Sequence, residues 1–276
     1  MASWKFAISS APYAPETAPI LLKGDICDNL RQAASLGYDA IEVHMRENAP
    51  IDFKAVKGTS EECGCRVGML VTGRLYTEGG LSLLDDDKSV QSRAMDGMKK
   101  YIDMAAELGA GVVLGWAKGK VPPGADRKAY MDRLGSHLAA LGEYAGQAGV
   151  LINVEVINRY ETNIFVNAAE IVEFFNTYPA GNCMIHLDTF HMGIEETDPL
   201  EAIRACRGRL GYIHFADNTR RYPGTGTFDF EAIIKTLAET NYDGLLSVEC
   251  LPWPDNIEAA KRAISHLKDI VKRVKA

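Results

Sequence analysis

Short apolar runs rich in Val, Ile and Leu alternate along the chain with longer segments whose apolar residues recur at helical spacing, the pattern of βαβ units on a parallel sheet. The predicted strands are Lys5–Ser10, Ala40–Met45, Arg66–Thr72, Gly111–Trp116, Leu151–Ile157, Cys183–Thr189, Gly211–Ala216 and Leu245–Cys250. Between them the periodicity predicts helices over Asp25–Leu36, Lys88–Leu108, Arg127–Ala148, Asn167–Thr177, Phe228–Glu239 and Asn256–Lys272. Leu36-Gly37, Leu108-Gly109 and Ala148-Gly149 each place a glycine where a helix would end in a left-handed cap. Eight alternations with no Ser/Gly-rich linker and no charge block predict an α/β chain: a single (β/α)8 TIM barrel, one domain over residues 1–276, its active site at the C-terminal ends of the strands. An open doubly wound sheet would want a glycine-rich phosphate turn after its first strand, and Ser9-Ser10-Ala11-Pro12 is not one.

Composition narrows the partners. A net charge of −7 gives no Lys/Arg surplus for a phosphate backbone, so a nucleic-acid partner is not expected. Of the six cysteines only Cys63 and Cys65 are close, without the spacing of a zinc knuckle, and all six read as reduced cytosolic thiols. The first residues, MASWKFAISSAPYAPETAP, lack the basic and unbroken apolar regions of a signal peptide, and no apolar stretch is long enough to cross a bilayer. The expectation is a cytoplasmic protein with no membrane partner.

Reactive groups of a barrel sit where strands end. The second half of the chain ends its predicted strands with Asn153-Val154-Glu155-Val156, His186-Leu187-Asp188-Thr189, Tyr212-Ile213-His214-Phe215 and Ser247-Val248-Glu249-Cys250. Grouping three carboxylates in apolar strand tips is costly unless a cation compensates, because each raises the others' proton affinity and burial adds to the cost. Glu155, Asp188, His214 and Glu249 are therefore the predicted ligands of one divalent metal ion. Three carboxylates and an imidazole form a hard donor set suited to Mn2+ first, with Mg2+ or Co2+ as alternatives. His186 lies on the same face as Asp188 but deeper, as a core or supporting group.

Val156-Ile157-Asn158-Arg159-Tyr160-Glu161-Thr162-Asn163, Leu187-Asp188-Thr189-Phe190-His191-Met192-Gly193-Ile194-Glu195-Glu196 and His214-Phe215-Ala216-Asp217-Asn218-Thr219-Arg220 resemble signature segments of the ketose 3-epimerase group (D-tagatose and D-psicose 3-epimerases) of the xylose isomerase-like barrels. The resemblance implies the same four metal ligands, acid/base roles for Glu155 and Glu249, and substrate contacts by Glu161, His191 and Arg220. It also implies a homodimer or homotetramer. Val71-Thr72-Gly73-Arg74-Leu75-Tyr76, Glu78-Gly79-Gly80-Leu81-Ser82-Leu83 and Pro223-Gly224-Thr225-Gly226-Thr227-Phe228-Asp229-Phe230 resemble a narrower branch, the 5-keto-L-gluconate epimerases. The first-strand loop, Ser10-Ala11-Pro12-Tyr13-Ala14-Pro15, departs from the aromatic loop of the D-tagatose and D-psicose enzymes.

The implied activity is a metal-dependent isomerase: an epimerase inverting the carbon beside a ketone of a keto-sugar or keto-sugar acid, of 5-keto-L-gluconate or D-tagaturonate type, through a cis-enediolate. Ketohexose 3-epimerisation and aldose–ketose isomerisation, which share that intermediate, stay open. Tyr13, Glu42, His44, Arg74, Trp116 and Lys118 are candidates for substrate selection. Arg74, Lys118 and Lys120 would offer a cation to a substrate carboxylate or phosphate, and Glu42 and His44 would face the pocket or form a core ion pair. A barrel endonuclease would want more histidines than the six present, and a noncatalytic sugar-binding barrel would need neither acid/base glutamate.

Overall fold

In a computed structural model, which describes residues 4–275, the apolar runs are strands buried on both faces, as a parallel sheet wrapped by helices must be. They are β1 (Phe6–Ala11), β2 (Leu22–Lys23), β3 (Ala40–His44), β4 (Arg66–Val71), β5 (Gly111–Leu114), β6 (Ile152–Glu155), β7 (Cys183–Asp188), β8 (Leu210–Phe215) and β9 (Leu246–Val248). All pair in parallel in the order β1-β3-β4-β5-β6-β7-β8-β9, and β9 pairs back onto β1, closing an eight-stranded barrel. The two-residue β2 adds to the C-terminal end of β1. Residues 1–3 and 276 of the predicted span lie outside the described residues.

The helices are α1 (Ile26–Leu36), α2 (Phe53–Cys63), α3 (Gly73–Thr77), α4 (Lys88–Leu108), α5 (Arg127–Gln147), α6 (Ala168–Thr177), α7 (Thr189–Glu195), α8 (Pro199–Ala205), α9 (Phe230–Glu239) and α10 (Asn256–Lys275). Asp25, Asp52, Asp87, Asp126 and Asp229 begin α1, α2, α4, α5 and α9, each carboxylate accepting a first-turn N–H. Periodicity did not predict α2, whose buried residues are only Val56 and Thr59, nor the short α3, α7 and α8. No helix among the described residues is long and apolar enough to cross a membrane.

Two apolar layers hold the barrel. One lies between sheet and helices, and a smaller one, Ala7, Ala40, Met69, Val71, Val113, Tyr212 and Leu245, fills the interior below the strand ends. Two register shifts tune that interior: Ile185 pairs with Leu210 but His186 with Tyr212, and Ile41 pairs with Val67 but Glu42 with Met69. The extra residues are Gly211 and Gly68. A Cβ on Gly211 would lie 2.3 Å from Asn153 Oδ1 and 2.6 Å from Met184 Cβ, which leaves no room for one, while a Cβ on Gly68 would lie 2.6 Å from Leu245 Cδ1 and require that side chain to shift. Beyond the Gly211 bulge, Tyr212 and His214 share the inward face.

Candidate active site and metal centre

Glu155 ends β6, Asp188 ends β7, His214 is the penultimate residue of β8, and Glu249 follows β9. Their side chains converge on His214, whose Nδ1 lies 3.5 Å from Glu249 Oε2, 3.7 Å from Asp188 Oδ2 and 3.8 Å from Glu155 Oε1. All four are buried. Asp188 also caps α7, its Oδ1 accepting the Phe190 N–H at 2.8 Å, which leaves Oδ2 turned to the centre. Gly115, just past β5, makes room for Glu155: a Cβ there would lie 2.6 Å from Glu155 Oε2.

Glu42 sits below this centre with no exposed surface. Its Oε2 lies 2.8 Å from His214 Nε2 and accepts from Tyr212 Oη at 2.7 Å and Ser247 Oγ at 3.0 Å, joining three strands through one carboxylate. Burial alone would raise its proton affinity, but the charge and hydrogen bond of His214 hold the carboxyl well below its ordinary range. His44 Nε2 stands 3.5 Å from both Glu42 Oε1 and Glu249 Oε1. His186 is fully enclosed, its ring 4.2 Å from that of His214, and burial keeps it neutral.

The three resemblance-implied contact residues line the open side. His191, in the first turn of α7, has Nε2 3.9 Å from Asp188 Oδ2 and 4.0 Å from Glu155 Oε1; burial lowers its pKa to about 3, so the ring is neutral. Glu161 is held at both oxygens, Oε1 by Asn158 Nδ2 at 3.0 Å and Oε2 by Trp116 Nε1 at 3.1 Å. Arg220 packs its guanidinium against Phe190, places Nη1 3.1 Å from Asp188 Oδ2, and bonds Glu249 through Nη2. Its backbone is in the left-handed region at φ 59°. Asp217 fixes that turn by accepting the N–H groups of Asn218, Gly224, Gly226 and Phe228, while Leu251 N–H bonds the Arg220 carbonyl.

The selection candidates divide. Trp116 is half-exposed at the mouth beside Glu161. Tyr13 is exposed; Arg74 stacks on its ring at 4.0 Å, and both bond Glu78, so the Arg74 charge is already paired. Lys118 is 0% exposed; its Nζ donates to Gly115 O at 3.1 Å, and burial lowers its pKa to about 8 against the raising influence of Glu155 and Glu161. Glu42 does not face the pocket; the core-pair alternative describes its position. Asn158 and Asp217 carry no role from sequence, although both stand inside the quoted signature segments.

The donor set fits a divalent cation. Asp188 Oδ2 and His214 Nδ1 are buried 3.7 Å apart, and neither makes a hydrogen bond among the described residues, Oδ2 being met by Arg220 Nη1 as an ion pair only. Asp188, His214 and Glu249 bring one ligand atom each within 4.8 Å of one another, as do Glu155, Asp188 and His191. Burial first, with Glu249 and Asp188 adding to it, pushes Glu155 up to about 8, the penalty that a bound cation relieves.

The family model described as xylose isomerase-like TIM barrel matches residues 30–270. The chain is 31% identical over 255 residues to an L-ribulose 3-epimerase of Mesorhizobium japonicum, covering 85% of this chain and 84% of that one. It is 28% identical to a 3-dehydro-D-guloside 4-epimerase of Escherichia coli, covering 82% of this chain and 87% of the relative. A solved L-ribulose 3-epimerase structure superposes with a TM-score of 0.85 at 26% identity, covering 99% of this chain and 96% of that one.

Proposed function

We propose that this chain, which belongs to the xylose isomerase-like TIM-barrel family and is an enzyme of the isomerase class, is a divalent-metal-dependent epimerase that inverts the carbon beside the ketone of a keto-sugar. The observation that carries the proposal is the convergence of three carboxylates on an unpartnered His214 Nδ1. Glu155, Asp188, His214 and Glu249 would hold the ion, with Mn2+ the first choice for this donor set. Bound there, it supplies Lewis acidity to the ketone oxygen and the neighbouring hydroxyl.

Epimerisation breaks the C–H bond on one face, its electron pair passing into a cis-enediolate, and forms a C–H bond on the other. Glu155 and Glu249 approach the centre from β6 and from the far side of β8, so they flank the reacting carbon. One carboxylate takes the proton and becomes a carboxylic acid; the other, starting protonated, delivers its proton to the opposite face and becomes the carboxylate. Because the two share one centre, their titrations belong to the pair. Arg220, with its permanent charge, and His191, a neutral donor, face the oxygen-bearing end of the substrate and stabilise charge developing there. Glu161 accepts from a substrate hydroxyl.

Of the cations proposed to meet an acidic substrate, Arg74 is paired with Glu78 and Lys118 is enclosed, while Lys120 is exposed. That distribution favours a neutral ketose. The keto-sugar acid reading rests on Lys120 and on the Thr72-Gly73-Arg74 segment. The test is solvent-deuterium exchange followed by NMR, with metal-loaded protein and L-ribulose, D-fructose, D-tagatose or 5-keto-L-gluconate. Metal-dependent exchange beside the ketone, abolished in Glu249→Gln, supports epimerisation and identifies the substrate class. No exchange with any of the four under Mn2+, Mg2+ or Co2+ overturns it.

A further inference from the structure

Asn158 lies just past β6, is 1% exposed, and uses every polar atom of its amide within the site. Its Oδ1 accepts the Tyr160 N–H at 3.0 Å, which fixes which end of the amide is oxygen. Its Nδ2 is then a donor at both remaining contacts, 3.0 Å to Glu161 Oε1 and 2.7 Å to His191 Nδ1. A ring nitrogen that accepts carries no proton, so the neutral imidazole keeps its proton on Nε2, the nitrogen turned toward Asp188 and Glu155.

We propose that Asn158 is a positioning residue that sets the tautomer of His191 and the orientation of Glu161 together, so that the pocket presents one donor and one acceptor in fixed relation to a substrate carrying adjacent oxygens. The proposal rests on the reading that His191 and Glu161 face substrate, but its first consequence concerns the protein alone. Without the amide donor, neither His191 nitrogen is preferred by its surroundings on that side. With a carboxylate in its place, the contact is acceptor to acceptor unless the proton moves to Nδ1, and Glu161 meets a like charge at Oε1. The proton that appears on Nδ1 is the one lost from Nε2, and the donor then points away from the pocket.

The experiment is 15N NMR of histidine-labelled protein loaded with diamagnetic Mg2+. The His191 signals are assigned by their loss in His191→Gln, among the six histidines of the chain. In the unsubstituted protein Nδ1 is expected in the unprotonated range and Nε2 in the protonated range. Asn158→Asp is expected to reverse that pattern, and Asn158→Ala to move both nitrogens part of the way toward averaged positions, because the Asp188 and Glu155 carboxylates still favour a proton on Nε2. With a turning-over substrate, both variants lose about tenfold or more in kcat/KM while metal affinity is unchanged, because Asn158 touches no proposed ligand. A protonated Nδ1 in the unsubstituted protein overturns the proposal without any variant. So does an unchanged tautomer in both variants, or a loss of metal affinity parallel to the loss of activity. If the exchange assay finds no substrate, the tautomer measurement still decides the matter, which separates failure of this proposal from failure of the epimerase reading.

Discussion

Glu42 Oε2 and His214 Nε2 are 2.8 Å apart at the bottom of the centre, and this contact decides which imidazole nitrogen faces upward. A carboxylate only accepts, so His214 donates from Nε2, and Nδ1 is the nitrogen left facing the three carboxylates above, the one that would bind a cation in exchange for its proton. Carboxylate–histidine pairs of this kind fix ring orientation and raise ligand basicity at metal centres. Sequence placed Glu42 correctly on the inward face of β3 but not at its depth, since strand parity fixes a face and says nothing of what closes over it.

Replacing Glu42 by Gln is expected to weaken divalent-metal binding about 10- to 100-fold by loosening the His214 orientation. Glu42→Ala also strands Tyr212 Oη, Ser247 Oγ and His214 Nε2 in the interior and lowers stability by about 2–4 kcal/mol. Isothermal titration with Mn2+ and denaturant unfolding of the metal-free protein read the two effects separately. Unchanged affinity in Glu42→Gln would remove Glu42 from any supporting role.

Metal addition is expected to stabilise the fold by about 2.7 kcal/mol at a hundredfold excess over Kd, because the unfolded chain does not assemble the four donors. Chelation reverses the gain. Asp188→Asn is expected to abolish the metal-dependent rise in Tm while leaving Phe190 N–H an oxygen to bond. A rise that persists in Asp188→Asn, followed by scanning calorimetry, places the ion elsewhere.

Asp217 offers four backbone N–H groups an acceptor and thereby holds Arg220 in a left-handed turn. Asp217→Ala is expected to cost about 2–3 kcal/mol, as backbone donors of the 217–228 segment lose their partner. It should raise KM through a misplaced Arg220 without weakening the metal. Kinetics paired with metal titration checks this; wild-type KM in a folded variant would show that Arg220 is placed by other means.

Thiol reactivity follows burial. Cys65, Cys183 and Cys206 are pushed up to about 12 by burial, and Cys250 is raised further in the same way, whereas Cys27 and Cys63 are partly exposed. Native protein at pH 8 is expected to react with a chromogenic disulfide reagent at Cys27 and Cys63 alone, the other four appearing on denaturation. Release of more than two thiols from folded protein contradicts the burial of Cys65, Cys183, Cys206 and Cys250.

Much of this was legible because alternation and strand-end chemistry are local signals. Each predicted strand overlaps a barrel strand, and Glu155, Asp188, His214 and Glu249 stand out as polar residues in apolar tips. What escaped depends on contacts distant in sequence. Arg74 reads as a free cation until Tyr13 and Glu78 close around it, and Lys118 reads as a loop charge until the turn after β5 folds it inward. Asn158 and Asp217 are invisible because an amide or carboxylate in a loop acquires meaning only from the donors and acceptors that tertiary structure brings to it.

The Gly211 bulge joins fold to chemistry most directly. Were β8 regular after Leu210, the inward parity would not carry both Tyr212 and His214 to the level of Glu42; the extra residue resets it. A methyl at Gly211 would press to 2.3 Å from Asn153 Oδ1, the end of a side chain, and to 2.6 Å from Met184 Cβ, a distance that β7 cannot concede without moving. Gly211→Ala is therefore expected to cost about 1–3 kcal/mol in stability through overpacking. It should also weaken metal binding by shifting His214 relative to Asp188, although neither proposed ligand is altered. Gly149→Ala, at a helix end with φ 68° and open space around its Cβ, serves as the control: it carries backbone strain but should leave metal affinity untouched. Equal metal affinity in the two variants, measured by titration on folded protein, would mean that the bulge shapes the interior packing and does not place the ligand.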